Sequence, residues 1–141
     1  MRYLLDANVL LALSLPTHQH HHDATSWFAV RPEWATTPLT EAGYVRLMTN
    51  MRVVGYAIPA DQVVDALREM RRVAGHAFLA DDSSLAEPVI DIARLAGTKQ
   101  VTDFHLVNLA ARHGMLLATF DGSLRRSLAM DDRRHVHVIP G

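Results

Sequence analysis

The 141-residue sequence contains no cysteine and a single lysine, Lys99. The missing cysteines exclude a disulfide framework, a thiol nucleophile and any cysteine-ligated zinc or iron–sulfur site, and a reducing cytoplasm is the expected setting. The sequence also has no GxxxxGK[ST] motif, which excludes a P-loop nucleotide site. The chemistry must therefore rest on carboxylates, hydroxyls, imidazoles and arginines.

Long hydrophobic runs are absent as well. The apolar stretch at residues 9–15 is far shorter than the roughly 20 residues of a membrane span. Asp6 and Asn8 interrupt the N-terminal apolar region, and no small-residue cleavage site follows it, so it does not fit a signal peptide. We therefore expect a cytoplasmic protein with no membrane segment.

The overall composition is that of a globular domain. Apolar residues make up 49% of the chain and charged residues 21%. Since no repeat or linker-like tract divides it, we expect one domain over residues 1–141. The formal net charge is −1, which at face value argues against strong attraction to nucleic acid.

Short apolar runs alternate with helical patterns. The sequence predicts strands at residues 2–5, 34–36, 115–119 and 136–139, with 76–80 as a strand or an extended loop. It predicts helices at residues 9–15, 18–30, 38–50, 61–73, 85–95, 102–113 and 123–128. Asn8 is the expected N-cap of the first helix, and Thr37 followed by Pro38 opens the third. Strands separated by helices predict an α/β fold with a parallel sheet covered on both faces.

Four acidic residues fall at matching positions of this pattern. Asp6 ends the first strand and Asp121 follows the strand at 115–119, while Glu41 and Asp103 lie in the first turns of their helices. In a parallel α/β sheet, the strand ends and the following helix starts share one edge. We therefore expect the four carboxylates to converge there, where such sheets bind ligands.

A group of converging carboxylates needs a positive partner. Glu41 and Asp103 each share a helix stripe with apolar residues, so both are expected to face inward, which is costly for an unpaired charge. A helix N-terminus contributes only about 0.3–1 kcal/mol per acid. A divalent cation would suffice, and all-oxygen ligation selects Mg²⁺ or Mn²⁺. The predicted reaction is metal-dependent phosphoryl hydrolysis. Taken singly, Asp6 also fits a helix cap, and Asp121 with Gly122 fits a turn.

Four segments resemble a known family. They are YLLDANVLLAL, TPLTEAGYVRLMTN, VTDFHLVNLAARHG and LLATFDGSL, in this order. Together they resemble PIN-domain nucleases and, among these, the VapC toxins of toxin–antitoxin pairs. The resemblance implies a three-layer α/β/α sandwich with a mainly parallel five-stranded sheet. It also implies an Mg²⁺- or Mn²⁺-dependent endoribonuclease that forms a homodimer and is inhibited by a cognate VapB antitoxin.

The family pattern also implies roles for individual residues. The matching positions form an acidic quartet with two assisting polar residues: Asp6, Glu41, Asp103 and Asp121, with Asn8 and Thr119. In this interpretation the three aspartates hold the ion, directly or through water, and Glu41 orients or deprotonates the attacking water. The chain departs from many relatives at Ser123, where they carry a further acid, and at Leu124, where they carry an aromatic residue.

Arginines supply the candidate contacts to RNA. Of the 14 basic residues all but Lys99 are arginine, a side chain that binds phosphate in bidentate fashion. Arg46, Arg112 and Arg125 are the candidates. If four of the 15 acids belong to a metal site, 11 remain against 14 basic residues, and the remainder carries +3. This small excess predicts weak, salt-sensitive binding of RNA.

Other functions remain open from the residues. A haloacid-dehalogenase-like phosphatase needs a second aspartate where this chain has Asn8, and a suitably placed lysine where only Lys99 is available. A response-regulator receiver domain needs an acidic pair after its first strand. A catalytically weak PIN scaffold that acts only as a binding partner is the non-enzymatic alternative, and Mn²⁺ binding discriminates against it.

Overall fold

The structure is a computed structural model that describes residues 1–30 and 33–141. The β-strands are Tyr3–Leu5 (β1), Trp34–Thr36 (β2), His76–Phe78 (β3), Leu116–Thr119 (β4) and Val136–Val138 (β5). The α-helices are Ala7–Ser14 (α1), His21–Phe28 (α2), Pro38–Met48 (α3), Met51–Val54 (α4), Ala60–Arg71 (α5), Gln100–Arg112 (α6) and Gly122–Ser127 (α7), and a 3₁₀ helix covers Met130–His135. Within the described parts of the chain, no helix has the length and apolar character to cross a bilayer.

All five strands are parallel and lie in the order β3-β2-β1-β4-β5. The chain starts at the central strand, moves outward to β3 and then crosses to β4 on the other side of β1. The strand order therefore reverses between β1 and β4. Such a reversal opens a crevice beyond the carboxyl ends of the two strands, where open α/β sheets bind ligands.

Alternate residues of the central strands point into two hydrophobic cores. Leu5 and Ala118, which are partners in the β1–β4 register, pack with α1, α2, α3, α4 and α5. Leu4 and Leu117 point the other way and pack with α6 and α7. This period-two alternation covers both faces of the sheet. The predicted three-layer α/β/α architecture is confirmed, and the sheet is wholly parallel.

The predicted helix at residues 85–95 is wrong. No helix or strand occurs at residues 79–99. Pro88 cannot donate a helical hydrogen bond, and it disfavours helical backbone at the residue before it. A side chain replaces one of the missing helical partners: the backbone N–H of Val89 donates a hydrogen bond to Oδ1 of Asn108 at 2.8 Å. A buried side chain of α6 therefore anchors this irregular segment.

Several helix boundaries also differ from the prediction. Helix α1 begins at Ala7, so Asp6 rather than Asn8 precedes its first turn. The second helix, α2, covers residues 21–28 rather than the predicted 18–30. Thr37 and Pro38 do open α3, as expected, and the backbone N–H of Thr37 donates to Oγ1 of Thr40 at 3.1 Å. The shift at α1 matters most, because it places Asp6 at the junction of strand and helix.

Candidate active site

Asp6 lies where β1 ends and α1 begins. Asp6 is only 8% exposed, and its Oδ2 accepts a hydrogen bond from Oγ1 of Thr119 at 2.9 Å. Its backbone N–H donates to the carbonyl of Ala118 at 3.0 Å, which ties it to β4. Burial raises the pKa of Asp6, and the charge of Asp121 raises it further, while the hydrogen bonds lower it. A carboxylate in this setting is stabilised by any cation that reaches it.

Asp103 lies in the first turn of α6, which packs on the face of the sheet opposite to α1. Its pKa is raised to about 6, first by burial and then by the negative charges of Asp6 and Asp121. The shift shows that the three carboxylates are close enough to repel one another. The structure therefore brings together three of the four acids predicted to share the sheet edge.

Asp121 follows β4 and precedes α7. Its Oδ1 accepts the backbone N–H of Ser123 at 2.9 Å and that of Leu124 at 3.3 Å, so this oxygen caps the short helix. Its own N–H donates to Oγ1 of Thr119 at 3.1 Å. The cap and the site are compatible, because the cap fixes the carboxylate beside the other two.

The donor set suits a hard divalent cation. None of the ion pairs among the described residues involves Asp6, Asp103 or Asp121. Three such carboxylates supply the oxygen ligands that Mg²⁺ and Mn²⁺ prefer. However, no three His, Cys, Asp or Glu side chains in residues 1–30 and 33–141 are arranged to hold an ion as they stand. The aspartates are thus electrostatic neighbours, and joint coordination requires side-chain rotation or bridging water.

Glu41 has different surroundings from the three aspartates. It lies in the first turn of α3, and its Oε2 accepts a hydrogen bond from Oγ1 of Thr36 at 2.6 Å. Its Oε1 is 3.5 Å from Nη1 of Arg71 on α5. Oγ1 of Thr36 lies 2.8 Å from Nε2 of His76 on β3. The predicted quartet therefore divides into three aspartates near β1 and β4 and one glutamate near β2 and β3.

The two assisting residues also differ in their setting. Thr119 is fully buried and contacts both Asp6 and Asp121. Asn8 is exposed in the first turn of α1. The position of Thr119 supports its predicted role most directly, because its hydroxyl links two of the aspartates.

The candidate arginines are spread over the surface. Arg46 is exposed on α3, and Arg125 is exposed on α7, where it lines a polar cleft of about 490 Å³ with Arg126 beside β5. Arg112 lies nine residues along α6 from Asp103, about 13 Å at 1.5 Å per residue. Its Nε is 3.7 Å from Asp82. The structure does not bring Arg112 to the acidic edge.

The partners of Glu41 were not found from the sequence. Thr36 gives a weak signal, since it is a polar residue at the end of an otherwise apolar strand. His76 and Arg71 give none, because both are distant in sequence: His76 reaches Thr36 only through the β2–β3 pairing, and Arg71 reaches Glu41 only through the packing of α5 on α3.

Comparison with known proteins identifies the family. The family model of the PIN domain matches residues 3–127. Ribonuclease VapC38 of Mycobacterium tuberculosis (strain ATCC 25618 / H37Rv) is 46% identical over 123 residues, which cover 86% of each chain. The chain belongs to the VapC family of PIN-domain proteins. All four acids lie within the matched PIN domain.

Further VapC relatives show the same extent of similarity. Ribonuclease VapC39 of Mycobacterium tuberculosis (strain CDC 1551 / Oshkosh) is 43% identical over 130 residues, covering 90% of this chain and 94% of the relative. Ribonuclease VapC44 of the same strain is 37% identical over 127 residues, covering 88% and 89%. The PIN-domain match supports neither the phosphatase nor the receiver domain considered from the sequence.

Proposed function

We propose that this VapC-family protein is a single-domain, cytoplasmic endoribonuclease that cleaves RNA phosphodiester bonds with the help of Mg²⁺ or Mn²⁺. The observation that carries the proposal is the partly buried, mutually repelling group of Asp6, Asp103 and Asp121, in which burial first and the two neighbouring charges second raise the pKa of Asp103 to about 6. Such a site gains most from a divalent cation. The names of the relatives, all ribonucleases, support RNA as the substrate.

The chain's own residues take distinct roles in this proposal. Asp6, Asp103 and Asp121 would hold the ion, directly or through water, and a bound ion would polarise the phosphodiester and acidify a water molecule. Thr119 holds two of these aspartates in place, and the exposed side chain of Asn8, in the first turn of α1, assists beside them. Glu41 orients the attacking water and accepts its proton.

Binding of RNA is assigned to the arginine-rich remainder of the surface. Arg46 and Arg125 are exposed and would contact backbone phosphates, with Arg126 beside Arg125 in the same polar cleft. Outside the four acids the chain carries a net charge of only +3. Since each phosphate contact releases counterions, binding should weaken steeply as salt is raised.

The biological role proposed is that of the toxin in a VapBC toxin–antitoxin pair, acting as a homodimer. Family membership supports it, because VapC proteins are the toxin partners of VapB antitoxins. Growth arrest on induced expression tests the toxin role. Relief of that arrest by the product of a short neighbouring reading frame tests the pairing, and sedimentation of the purified protein tests the homodimer.

The catalytic proposal is tested with Asp6→Asn and Asp103→Asn. Each variant should lose roughly 100-fold or more in cleavage of purified cellular RNA, because several kcal/mol of charge stabilisation are removed. Circular dichroism should show that both remain folded. Asp131→Asn, at an exposed acid on the 3₁₀ helix, is the matched control and should keep full activity. Unchanged cleavage in both site variants, or cleavage in excess EDTA, would falsify the proposal.

A catalytically weak PIN scaffold that only binds a partner is the second candidate. The observation that favours it is the open arrangement of the acids, none of which forms a closed ligand set with two others in the described structure. Calorimetric titration with Mn²⁺ separates the two. Binding that disappears in Asp103→Asn supports the nuclease, and no binding to the wild-type protein supports the scaffold.

A further inference from the structure

Glu41 is the end of a chain of hydrogen bonds that crosses two strands. Its Oε2 lies 2.6 Å from Oγ1 of Thr36, and this hydroxyl oxygen lies 2.8 Å from Nε2 of His76. Thr36 is 1% exposed and the side chain of Glu41 13%. Forty residues of sequence separate Thr36 from His76, so the contact depends on the parallel pairing of β2 with β3.

The number of available protons fixes which group donates in each of these hydrogen bonds. An ionised carboxylate accepts hydrogen bonds only, so the hydroxyl proton of Thr36 is committed to Glu41. Thr36 has no second proton, and its oxygen must therefore accept from His76. Nε2 of His76 then carries a proton. The hydrogen bonds run from imidazole to hydroxyl to carboxylate.

The surroundings of His76 suit a neutral donor. Its ring centroid is 4.6 Å from that of Trp34. Burial and then the charge of Arg71 lower the pKa of His76, while the charge of Glu41 opposes the shift. Arg71 itself lies over the ring of Phe78, with its Cζ 4.7 Å from the ring centroid. At neutral pH, His76 therefore contributes an N–H group rather than a positive charge.

The two oxygens of Glu41 are held differently. Arg71, which contacts Oε1 at 3.5 Å, has a side chain that is 41% exposed and is screened by water. The bond from Thr36 to Oε2 is shorter, at 2.6 Å, and it is better shielded from water, because Thr36 is buried and the side chain of Glu41 is only 13% exposed. Since a glutamate side chain has three rotatable torsions, this shielded bond is the contact that fixes the direction of the carboxylate.

We propose that Thr36 and His76 are positioning residues that orient the Glu41 carboxylate toward the attacking water. The proposal rests on the proposed function of Glu41. His76 holds the hydroxyl of Thr36 in the rotamer that donates to Glu41, and this leaves the remaining lone pairs of the carboxylate for water. Misplacement of a reacting group by about 1 Å can cost about 100-fold in rate, so loss of such a support should appear in kcat.

Paired substitutions test the proposal by kinetics. The probe is an RNA fragment, selected from purified total RNA, that the wild-type protein cleaves at one position. Thr36→Val should lower kcat by about tenfold with KM changed less than twofold, and Thr36→Ser should restore most of kcat. His76→Leu should behave as Thr36→Val does, and His76→Gln, whose amide keeps a donor near Nε2, should restore activity. Wild-type kcat in Thr36→Val and His76→Leu, or no recovery in Thr36→Ser and His76→Gln, would overturn the proposal.

A second measurement does not depend on activity. Long-range ¹H–¹⁵N correlation spectra of the metal-free protein report which imidazole nitrogen of His76 carries the proton. We expect the Nε2–H form in the wild-type protein and a loss of this preference in Thr36→Val. The Nδ1–H form in the wild-type protein would overturn the proposal, even where His76→Leu fails to fold.

Glu41→Gln separates this proposal from the function on which it rests. If Glu41→Gln is inactive and Thr36→Val is fully active, the positioning role is wrong and the role of Glu41 stands. If Glu41→Gln cleaves the RNA as fast as the wild-type protein, the role of Glu41 in the proposed function is wrong, and the positioning proposal is wrong with it.

Discussion

The hydroxyl of Thr119 donates a 2.9 Å hydrogen bond to Oδ2 of Asp6, across 113 residues of sequence. The same hydroxyl oxygen accepts the N–H of Asp121 at 3.1 Å. Thr119 is fully buried, and its bond to Asp6 is shielded from water. One side chain at the end of β4 therefore sets the positions of two of the three neighbouring aspartates.

Replacing Thr119 should disturb both aspartates. Thr119→Val preserves the side-chain shape but leaves the buried carboxylate of Asp6 and the N–H of Asp121 without their partner. We expect the free energy of unfolding to fall by about 1–3 kcal/mol, measured by urea denaturation, and RNA cleavage to fall with it. Thr119→Ser keeps the hydroxyl and should retain most of the activity. Full cleavage by Thr119→Val, or a loss in Thr119→Ser as large as that in Thr119→Val, would contradict the role given to the hydroxyl.

The stability of the metal-free protein should depend on pH through Asp103. Its pKa is raised from 3.8 to about 6, so the folded protein holds this proton more tightly than the unfolded chain does. Between about pH 4 and 6 only the folded state is protonated there, and the free energy of unfolding falls as pH rises through this window.

Asp103→Asn should remove this loss of stability. We expect the variant and the wild-type protein to unfold at similar urea concentrations near pH 4, and the variant to be more stable above pH 6.5. The difference should be of the order of 1 kcal/mol once solvent screening of a half-buried group is allowed for. An advantage that stays constant across this range would contradict the prediction, and Asp131→Asn should show no such trend.

Divalent ions should stabilise the fold through the aspartates. An ion that binds the folded state alone raises the free energy of unfolding by about 2.7 kcal/mol at 100 times its Kd. We expect Mn²⁺ to raise the melting temperature of the wild-type protein and to have little effect on Asp6→Asn. Stabilisation of the two proteins by the same amount would place the ion elsewhere. Asp131→Asn again serves as the control and should respond as the wild-type protein does.

The irregular segment at residues 79–99 should depend on Asn108. This buried side chain accepts from the N–H of Val89 at 2.8 Å and donates to the carbonyl of Ser84 at 3.4 Å. Asn108→Ala should cost about 1–3 kcal/mol and increase cleavage by protease within the segment. Mapping of the fragments by mass spectrometry checks the location. Gln62→Ala, on the exposed face of α5, should leave the fragment pattern unchanged.

The sequence was sufficient to predict the edge at which the aspartates meet. Asp6 and Asp121 each follow a short apolar strand, and Asp103 lies in the first turn of a long helix, so local patterns place all three at one edge once the sheet is parallel. Their separation from Glu41 was not predictable in this way. It depends on two contacts of Glu41, the hydrogen bond from Thr36 at the end of β2 and the ion pair with Arg71 that follows from the packing of α5 on α3.

The error at residues 85–95 has a physical cause that local patterns do not reveal. Apolar residues recur there at near-helical spacing, but Val89 is 55% exposed and Ile90 is buried against α6. The competing hydrogen bond comes from Asn108, which is 19 residues away from Val89. A sequence window shorter than that cannot show that a side chain will replace the helical partner.

The position of β1 between β2 and β4 has a consequence for biosynthesis. A ribosome releases the first three strands well before β4, so one edge of the central strand stays unpaired until residues 116–119 emerge. Until then Asp6 lacks the hydroxyl of Thr119 and the neighbouring charge of Asp121. A nascent chain therefore cannot assemble its acidic centre before residue 121 has left the ribosome, and folding must wait for a contact between distant parts of the chain.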